Sequence, residues 1–224
     1  MWHCYSDPDE CVTALVSHIV AQLDTAIAAE GQAGLAVSGG KSPVALFQRL
    51  SQAQLPWEHV HVTLVDERFV PTTHPDSNEN LVRRHLLVKR AGAARFTGLV
   101  SHVHDIDRAV MLANRQAHAI TIAVLGMGDD GHTASLFPHA PQLPAALDTS
   151  ATCRFMHISP PAATHERISM TLAAILQAKQ IVLPIAGDHK RDVCLRAAQQ
   201  ATPDLPVSYV LAQTGVPVHV YWNP

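Results

Sequence analysis

A chain of 224 residues, of which 47% are hydrophobic and 16% charged, has the composition of a soluble globular protein that can bury a core without disulfides or a structural metal. Its formal net charge of −3 gives no basic field for nucleic acid or an anionic membrane, and no run approaches the roughly 18 apolar residues of a membrane span. The start of the chain shows no signal-peptide pattern and the four cysteines are widely spaced, so we expect reduced thiols and a cytoplasmic protein.

The first predicted elements are a helix, a strand and a second helix. A proline among acidic residues at 7–10 predicts the start of an amphipathic helix. Residues 34–38 are a short apolar stretch typical of a strand, and two glycines follow it. Ser42-Pro43 then predicts the cap of a helix that reaches about residue 50. The unit is a strand, a glycine turn and a helix.

The middle of the chain continues this alternation. β-branched residues at 59–65 predict a second strand, which ends in the charged cluster 66–68. Two helices follow, capped by Ser77 and by Asp105 or Asp107, and they end near residues 87 and 117. Residues 120–125 form a continuous apolar strand that leads straight into the glycine-rich residues 126–132. The remaining predicted elements are strands at 155–158, 181–185 and 218–222 and helices at 166–177 and 188–199.

Apolar strands that alternate with helices indicate an α/β fold. The pattern predicts a parallel sheet flanked by helices on both faces, and no repeat or linker divides residues 1–224, so one domain is expected. Ligands of such sheets bind at the carboxyl ends of the strands. The polar clusters of this chain all fall at those ends, which makes them the candidate site.

The turn after the first of these strands is Ser38-Gly39-Gly40-Lys41-Ser42. Free backbone N–H groups at a helix start favour an anion, and the glycines let a phosphate approach the backbone. The same residues could be only a tight turn. After the second strand comes Arg68, a side chain suited to phosphate or carboxylate, although charged loops at strand ends are often simply solvated.

The sequence from Gly126 to Gly131 matches the G-x-G-x-x-G pattern of dinucleotide sites. We disfavour that interpretation, because Asp129 and Asp130 would place two carboxylates where a pyrophosphate must lie, and because the motif follows an interior strand. His132 directly after it is a candidate general base with carboxylates close enough to orient its ring. The alternative is a histidine that only caps a helix or packs under a loop.

Two further cations begin predicted helices, and the histidines suggest no metal. Arg167 and Lys190 stand where a βα unit can aim a positive charge at an anion, although both could be ordinary surface charges. The pairs His59/His61 and His102/His104 have no third ligand nearby in the sequence, so no metal site is expected.

Together these residues resemble the 6-phosphogluconolactonase family. The run from Asp130 to Pro138, Asp-Gly-His-Thr-Ala-Ser-Leu-Phe-Pro, is the most specific part of the resemblance. Two departures are Phe69, where many members carry tryptophan, and Lys41 in a variable turn. The matching segments are 36–43, 65–71, 74–78, 125–138, 167–171 and 187–190.

The resemblance implies a Rossmann-like fold, no cofactor, and hydrolysis of a phosphorylated sugar lactone in the oxidative pentose phosphate pathway. It implies that His132 activates water, with Asp130 and Arg68 as the other catalytic candidates. We expect no nucleic acid or membrane partner, and a monomer or weak homodimer. The residues expected around the substrate are Ser38, Gly39, Gly40, Lys41, Ser42, Asp66, Gly128, Arg167 and Lys190.

Two other functions share this fold. A glucosamine-6-phosphate deaminase would use Asp66 as a carbon-acid base, but that family carries Asn-Glu-Pro after the histidine segment, where this chain has Leu136-Phe137-Pro138. A sugar-phosphate-sensing transcription regulator would need a DNA-binding module, and only one helix is predicted before the first strand. Both are less favoured than the lactonase.

Overall fold

The computed structural model describes residues 1–40 and 42–224, so the predicted site residue Lys41 lies outside the described residues. Two 3₁₀ helices, Trp57–His59 and Lys89–Ala93, connect other elements. The strands are β1 Trp2–Cys4, β2 Ala33–Val37, β3 Val60–Leu64, β4 Asp66–Arg68, β5 Arg95–Thr97, β6 Ile122–Val124, β7 Phe155–Ile158, β8 Arg167–Met170, β9 Gln180–Ala186 and β10 Val218–Asn223. The helices are α1 Pro8–Glu30, α2 Val44–Leu50, α3 Asn78–His85, α4 Ile106–Arg115, α5 Leu143–Ala146, α6 Leu172–Ile175, α7 Asp188–Ala197 and α8 Ser208–Leu211.

Seven strands form one parallel sheet in the order β1-β10-β9-β6-β2-β3-β5, which confirms the predicted parallel α/β fold. From β2 the chain proceeds to β3 and β5 on one side, and from β6 it proceeds to β9 and β10 on the other. The order in which the chain adds strands therefore reverses between β2 and β6, although all the strands stay parallel. In doubly wound sheets the ligand crevice lies outside the strand ends at such a reversal. The fold thus brings the segments after β2, β6 and β9 to one edge.

A second sheet has three antiparallel strands in the order β4-β8-β7, which the predicted alternation of strands and helices did not include. The predicted helix at 166–177 is wrong in its first half, because Arg167–Met170 is strand β8 and all four of its residues are buried. A helix begins only after Thr171, whose hydroxyl accepts a hydrogen bond from the Ala174 N–H at 3.2 Å. A short buried run does not distinguish strand from helix by its periodicity.

The helix caps predicted from sequence are confirmed in two of three cases. Ser77 accepts from the Asn80 N–H, and Asp105, not Asp107, caps α4. The cap predicted at Ser42 is wrong: α2 begins at Val44, and its N-cap residue is Pro43, which makes no side-chain cap hydrogen bond. The short edge strands β1 and β5 were not predicted, and β1 precedes the first helix.

Helix α1 packs one face on the core. Its buried residues are spaced three or four apart, as on one side of a helix. Among the residues that the structure describes, α1 is the one helix whose length and composition would also suit a membrane span, a test that core helices pass as well. The buried residues are Cys11, Leu15, Ile19, Leu23 and Ala26.

A cluster of histidines lies at the β1 edge of the sheet. His219 Nδ1 lies 3.1 Å from His3 Nε2, and the two rings are stacked. Burial, reinforced by His18 and His3, lowers the pKa of His219 from 6.5 to about 4. Between these values the unfolded chain binds a proton that the folded chain does not bind.

We therefore expect stability to fall as the pH drops from 6.5 to about 4, and the loss to be smaller in a His219→Gln variant. Urea unfolding at a series of pH values measures this slope. The exposed His104 is the matched control, as His104→Gln should keep the wild-type slope. Equal slopes for wild type and His219→Gln would contradict the prediction.

Candidate functional site

The carboxyl ends of β2 and β6 are tied together by Ser38. Its hydroxyl donates to the Val124 carbonyl at 3.1 Å and accepts from the Gly126 N–H at 2.9 Å. Its own N–H also donates to the Val124 carbonyl. Ser38 thus joins the two predicted glycine turns, and both turns line the same cleft.

His132 is fixed by the carboxylate of Asp130. The imidazole Nδ1 lies 2.6 Å from Asp130 Oδ1, and the same oxygen accepts from the His132 N–H at 3.1 Å. The hydrogen bond to His132 lowers the pKa of Asp130. An ionised carboxylate at Nδ1 places the proton of a neutral imidazole on that nitrogen. This leaves Nε2 as the nitrogen that can accept a proton, and the Phe137 ring packs on the imidazole at 4.4 Å between centroids.

Gly128 is required by the position of this pair. A Cβ added at Gly128 would fall 2.2 Å from His132 Nδ1 and 2.5 Å from Asp130 Oδ1. The Gly128 N–H donates to the His132 carbonyl at 2.9 Å, which closes the turn. Any side chain here must displace the imidazole.

We expect Gly128→Ala to lower the kcat of the site's reaction by about 100-fold, because misplacing a reacting group by about 1 Å costs that much. The folded state should persist, as judged by circular dichroism and thermal unfolding. Gly215→Ala is the matched control, since a Cβ there would meet its nearest neighbour at 3.6 Å, an ordinary contact. Full activity in Gly128→Ala would show that the position of the imidazole is unimportant.

The cleft at this edge has a volume of about 460 Å³ and is open to solvent. It contains most of the residues that the sequence analysis selected. Asp130 and Arg167 are not part of its lining, while Asn78, which was not selected, is. The selected residues that line the cleft are Ser38, Gly39, Gly40, Ser42, Asp66, Arg68, Gly128, His132 and Lys190.

Lys190 reaches the cleft from the first turn of α7. Its Nζ donates to the Met127 carbonyl at 2.7 Å, so the ammonium is held beside the loop that carries His132. An ammonium has three donors, and one such bond leaves two for a ligand. The cation expected from the sequence is therefore in place at this edge.

Arg68 and Arg167 are cross-strand neighbours in the second sheet. Arg68 Nη1 donates to the Asp76 carbonyl and Arg167 Nη1 to the His165 carbonyl, both at 2.6 Å. Arg167 is 7% exposed, and burial, with the charge of Arg68 second, lowers its pKa. The prediction that Arg167 begins a helix is wrong. It lies in β8 beside Arg68, outside the lining of the cleft.

Asn78 connects the second sheet to the glycine turn. Its amide donates to the Asp66 carbonyl at 2.9 Å, and Asp66 Oδ2 accepts from the Ser135 hydroxyl at 2.6 Å. A Cβ at Gly39 would fall 1.8 Å from Asn78 Oδ1, so Gly39 is required by this close approach. Asn78 lies in the segment 74–78 that contributes to the family resemblance, but the sequence analysis predicted no role for this residue.

The buried carboxylate of Glu67 binds the start of α3. Its carboxylate accepts from the N–H groups of Asn78, Glu79 and Arg68, each at 2.7 Å, and from the Ser77 hydroxyl at 3.0 Å. The side chain is 1% exposed, and burial raises its pKa to about 7 against the lowering effect of these donors. The residues on either side of it, Asp66 and Arg68, line the cleft.

Comparisons with known proteins agree with one another. Residues 6–222 match the family model described as glucosamine-6-phosphate isomerases/6-phosphogluconolactonase. A protein named 6-phosphogluconolactonase from Neisseria meningitidis serogroup A is 42% identical to this chain, and the match covers 99% of this chain and 98% of that protein. A protein of the same name from Pseudomonas putida is 41% identical, and the match covers 99% of this chain and 92% of that protein. A crystal structure described as a putative 6-phosphogluconolactonase from Neisseria gonorrhoeae has a TM-score of 0.96 at 42% identity, and the match covers 100% of this chain and 99% of that one.

Proposed function

This chain belongs to the family of glucosamine-6-phosphate isomerases and 6-phosphogluconolactonases, and on that premise we propose that it hydrolyses 6-phospho-D-glucono-1,5-lactone to 6-phospho-D-gluconate. The observation that carries the proposal is the Asp130–His132 pair, because His132 lines a cleft that Arg68 and Lys190 also line. A general base beside cationic groups suits an ester that carries a phosphate.

His132 is proposed as the general base. Its Nε2 takes a proton from the water that attacks the C1 carbonyl, while Asp130 stabilises the imidazolium that forms. The tetrahedral intermediate then collapses, the bond from C1 to the ring oxygen breaks, and His132 returns the proton to that oxygen. Lactone hydrolysis of this kind needs only water, proton transfer and stabilisation of an oxyanion, so the proposal includes no cofactor.

Arg68 is the proposed oxyanion group. The sequence left open whether the backbone of residues 128–131 or Arg68 would stabilise the developing charge. The N–H groups of Gly128 and Gly131 already donate to the carbonyls of His132 and Gly128. Arg68 spends one donor on the Asp76 carbonyl and keeps the others. Because two of the four backbone N–H groups are thus occupied and Arg68 keeps most of its donors, we assign the oxyanion role to Arg68, a type of contribution that is usually large.

Phosphate recognition is proposed at the turn after β2 and at Lys190. The backbone N–H groups of Gly39 and Gly40, the Ser42 hydroxyl and the Lys190 ammonium are donors of the kind that hold phosphate. Binding energy from the phosphate fixes C1 next to His132. Arg167 is proposed to act through Arg68, because Arg167 lies outside the cleft lining.

We further expect residues 1–224 to act as one domain in the cytoplasm, in the oxidative pentose phosphate pathway. We expect the protein to be a monomer or a weak homodimer.

The test is a coupled assay in which glucose 6-phosphate is oxidised in place to the lactone. Because the lactone also hydrolyses spontaneously, the measured quantity is the rate in excess of an enzyme-free control. We expect catalysed decay of the lactone and no ammonia release from glucosamine 6-phosphate. Ammonia release without lactone decay would instead identify the deaminase, with Asp66 as the carbon-acid base.

A further inference from the structure

Three potential metal ligands meet outside the substrate cleft, on two loops that are far apart in sequence. His74 and Asp76 precede α3, and His165 precedes β8. His165 Nε2 lies 3.1 Å from Asp76 Oδ2, and His74 Nδ1 lies 3.9 Å from the same oxygen. All three ligand atoms are within 4.8 Å of one another. In the part of the chain that the structure describes, this is the one group of three with that property.

We propose that His74, Asp76 and His165 form a binding site for Zn²⁺. Two imidazoles and a carboxylate are a ligand set that zinc takes, with water in the fourth position. The side chains are 39%, 57% and 26% exposed, so water can complete the coordination shell and the ion can enter. Oxygen-preferring ions such as Mg²⁺ and Ca²⁺ fit two nitrogen ligands poorly.

The backbone around the three ligands is already held in place. The Asp76 carbonyl accepts from Arg68 and the His165 carbonyl accepts from Arg167, so each ligand-bearing loop is anchored to the second sheet. The Asp76 N–H donates to His74 Nδ1 at 3.1 Å. Metal binding would replace that hydrogen bond and the one between His165 and Asp76.

The Asp76 carboxylate is not hydrogen-bonded to either neighbouring arginine. Arg68 and Arg167 direct the hydrogen bonds described above at carbonyl oxygens, and the carboxylate is left to the two imidazoles. A cation that binds there would therefore displace no guanidinium group from the carboxylate.

A bound ion would join the 74–76 loop to the start of β8. Because the carbonyls of Asp76 and His165 hold Arg68 and Arg167, the ion would brace both arginines without touching the substrate cleft. A ligand that binds only the folded state raises its stability by mass action. The expected signature is thus thermal stabilisation by Zn²⁺, independent of any lactone turnover.

The test is titration of the chelator-treated full chain with Zn²⁺ alone, in competition with a chromophoric chelator, together with the visible spectrum of the Co²⁺ form. We expect one tight site in the wild type and weakening by at least about tenfold in His165→Ala and in Asp76→Asn, since even loss of an outer-shell partner costs roughly 10- to 100-fold. The Co²⁺ form should show the intense absorption of four-coordinate cobalt, and each substitution should abolish it.

His157→Ala is the matched control, because His157 in β7 also pairs with a carboxylate, that of Glu166, but belongs to no such group of three ligands in the described part of the chain. It should bind Zn²⁺ as the wild type does. The proposal is overturned if the wild type binds no Zn²⁺, if both His165→Ala and Asp76→Asn bind it unchanged, or if His157→Ala loses it. None of these outcomes bears on lactone hydrolysis, so the two proposals fail separately.

Discussion

A His132→Asn variant is expected to lose about 10²- to 10⁴-fold in kcat on freshly generated lactone, the range that a positioned general base contributes. Asparagine keeps a polar side chain of similar reach, but its amide cannot take a proton from water as the imidazole Nε2 can. The Asp130 carboxylate remains, and the proposed phosphate donors of Gly39, Gly40 and Lys190 are untouched. Binding of the product, 6-phosphogluconate, should therefore change little, and the loss should appear in kcat and not in product affinity.

The matched control is His139→Asn. His139 is exposed, follows the same loop and has φ of 62°, a left-handed conformation that asparagine accommodates. Its kinetic constants should stay at the wild-type level. Full turnover in His132→Asn on freshly generated lactone would refute the general-base role. Loss of product binding together with turnover would show instead that His132 holds the substrate.

The cleft could be predicted from sequence because its residues follow strands. Ser38 follows β2, His132 belongs to the loop after β6, and Lys190 lies just after β9. In a parallel sheet the carboxyl ends of neighbouring strands meet, so local patterns were enough to bring these side chains together. The Asp130–His132 contact is also local, since the two residues are two positions apart.

What the sequence did not predict depends on contacts between distant segments. The pairing of β4 with β8 joins positions about 100 residues apart, and the run of four buried residues in β8 is too short to distinguish a strand from a helix turn. The contact of Asp76 with His165 spans 89 positions, so a search for clustered metal ligands along the chain could not find it. The prediction that Arg167 contacts the substrate has the same cause. The sequence shows Arg68 and Arg167 separately, but it does not show that the two residues are neighbours on adjacent strands.

Glu67 was also missed, and its removal is expected to have the largest effect on stability. A glutamate in a charged tripeptide at a strand end normally predicts a solvated side chain, yet this one is 1% exposed and accepts four hydrogen bonds. Two of its donors are N–H groups in the first turn of α3, which have no partner within the helix. The carboxylate therefore satisfies groups that would otherwise be buried without a partner.

We expect Glu67→Ala to lower the free energy of unfolding by at least about 3 kcal/mol, because several buried donors would be left unpaired and each unpaired group costs about 1 to 3 kcal/mol. Urea unfolding at about pH 6 measures this loss, because burial raises the pKa of Glu67 to about 7 and ionisation of the carboxyl group above that pH costs the folded state free energy. Glu67→Gln should lose less, because one amide oxygen can still accept. The exposed Glu58→Ala is the matched control and should stay within about 0.5 kcal/mol of the wild type. A loss in Glu67→Ala no larger than in Glu58→Ala would mean that water replaces the carboxylate at the start of α3.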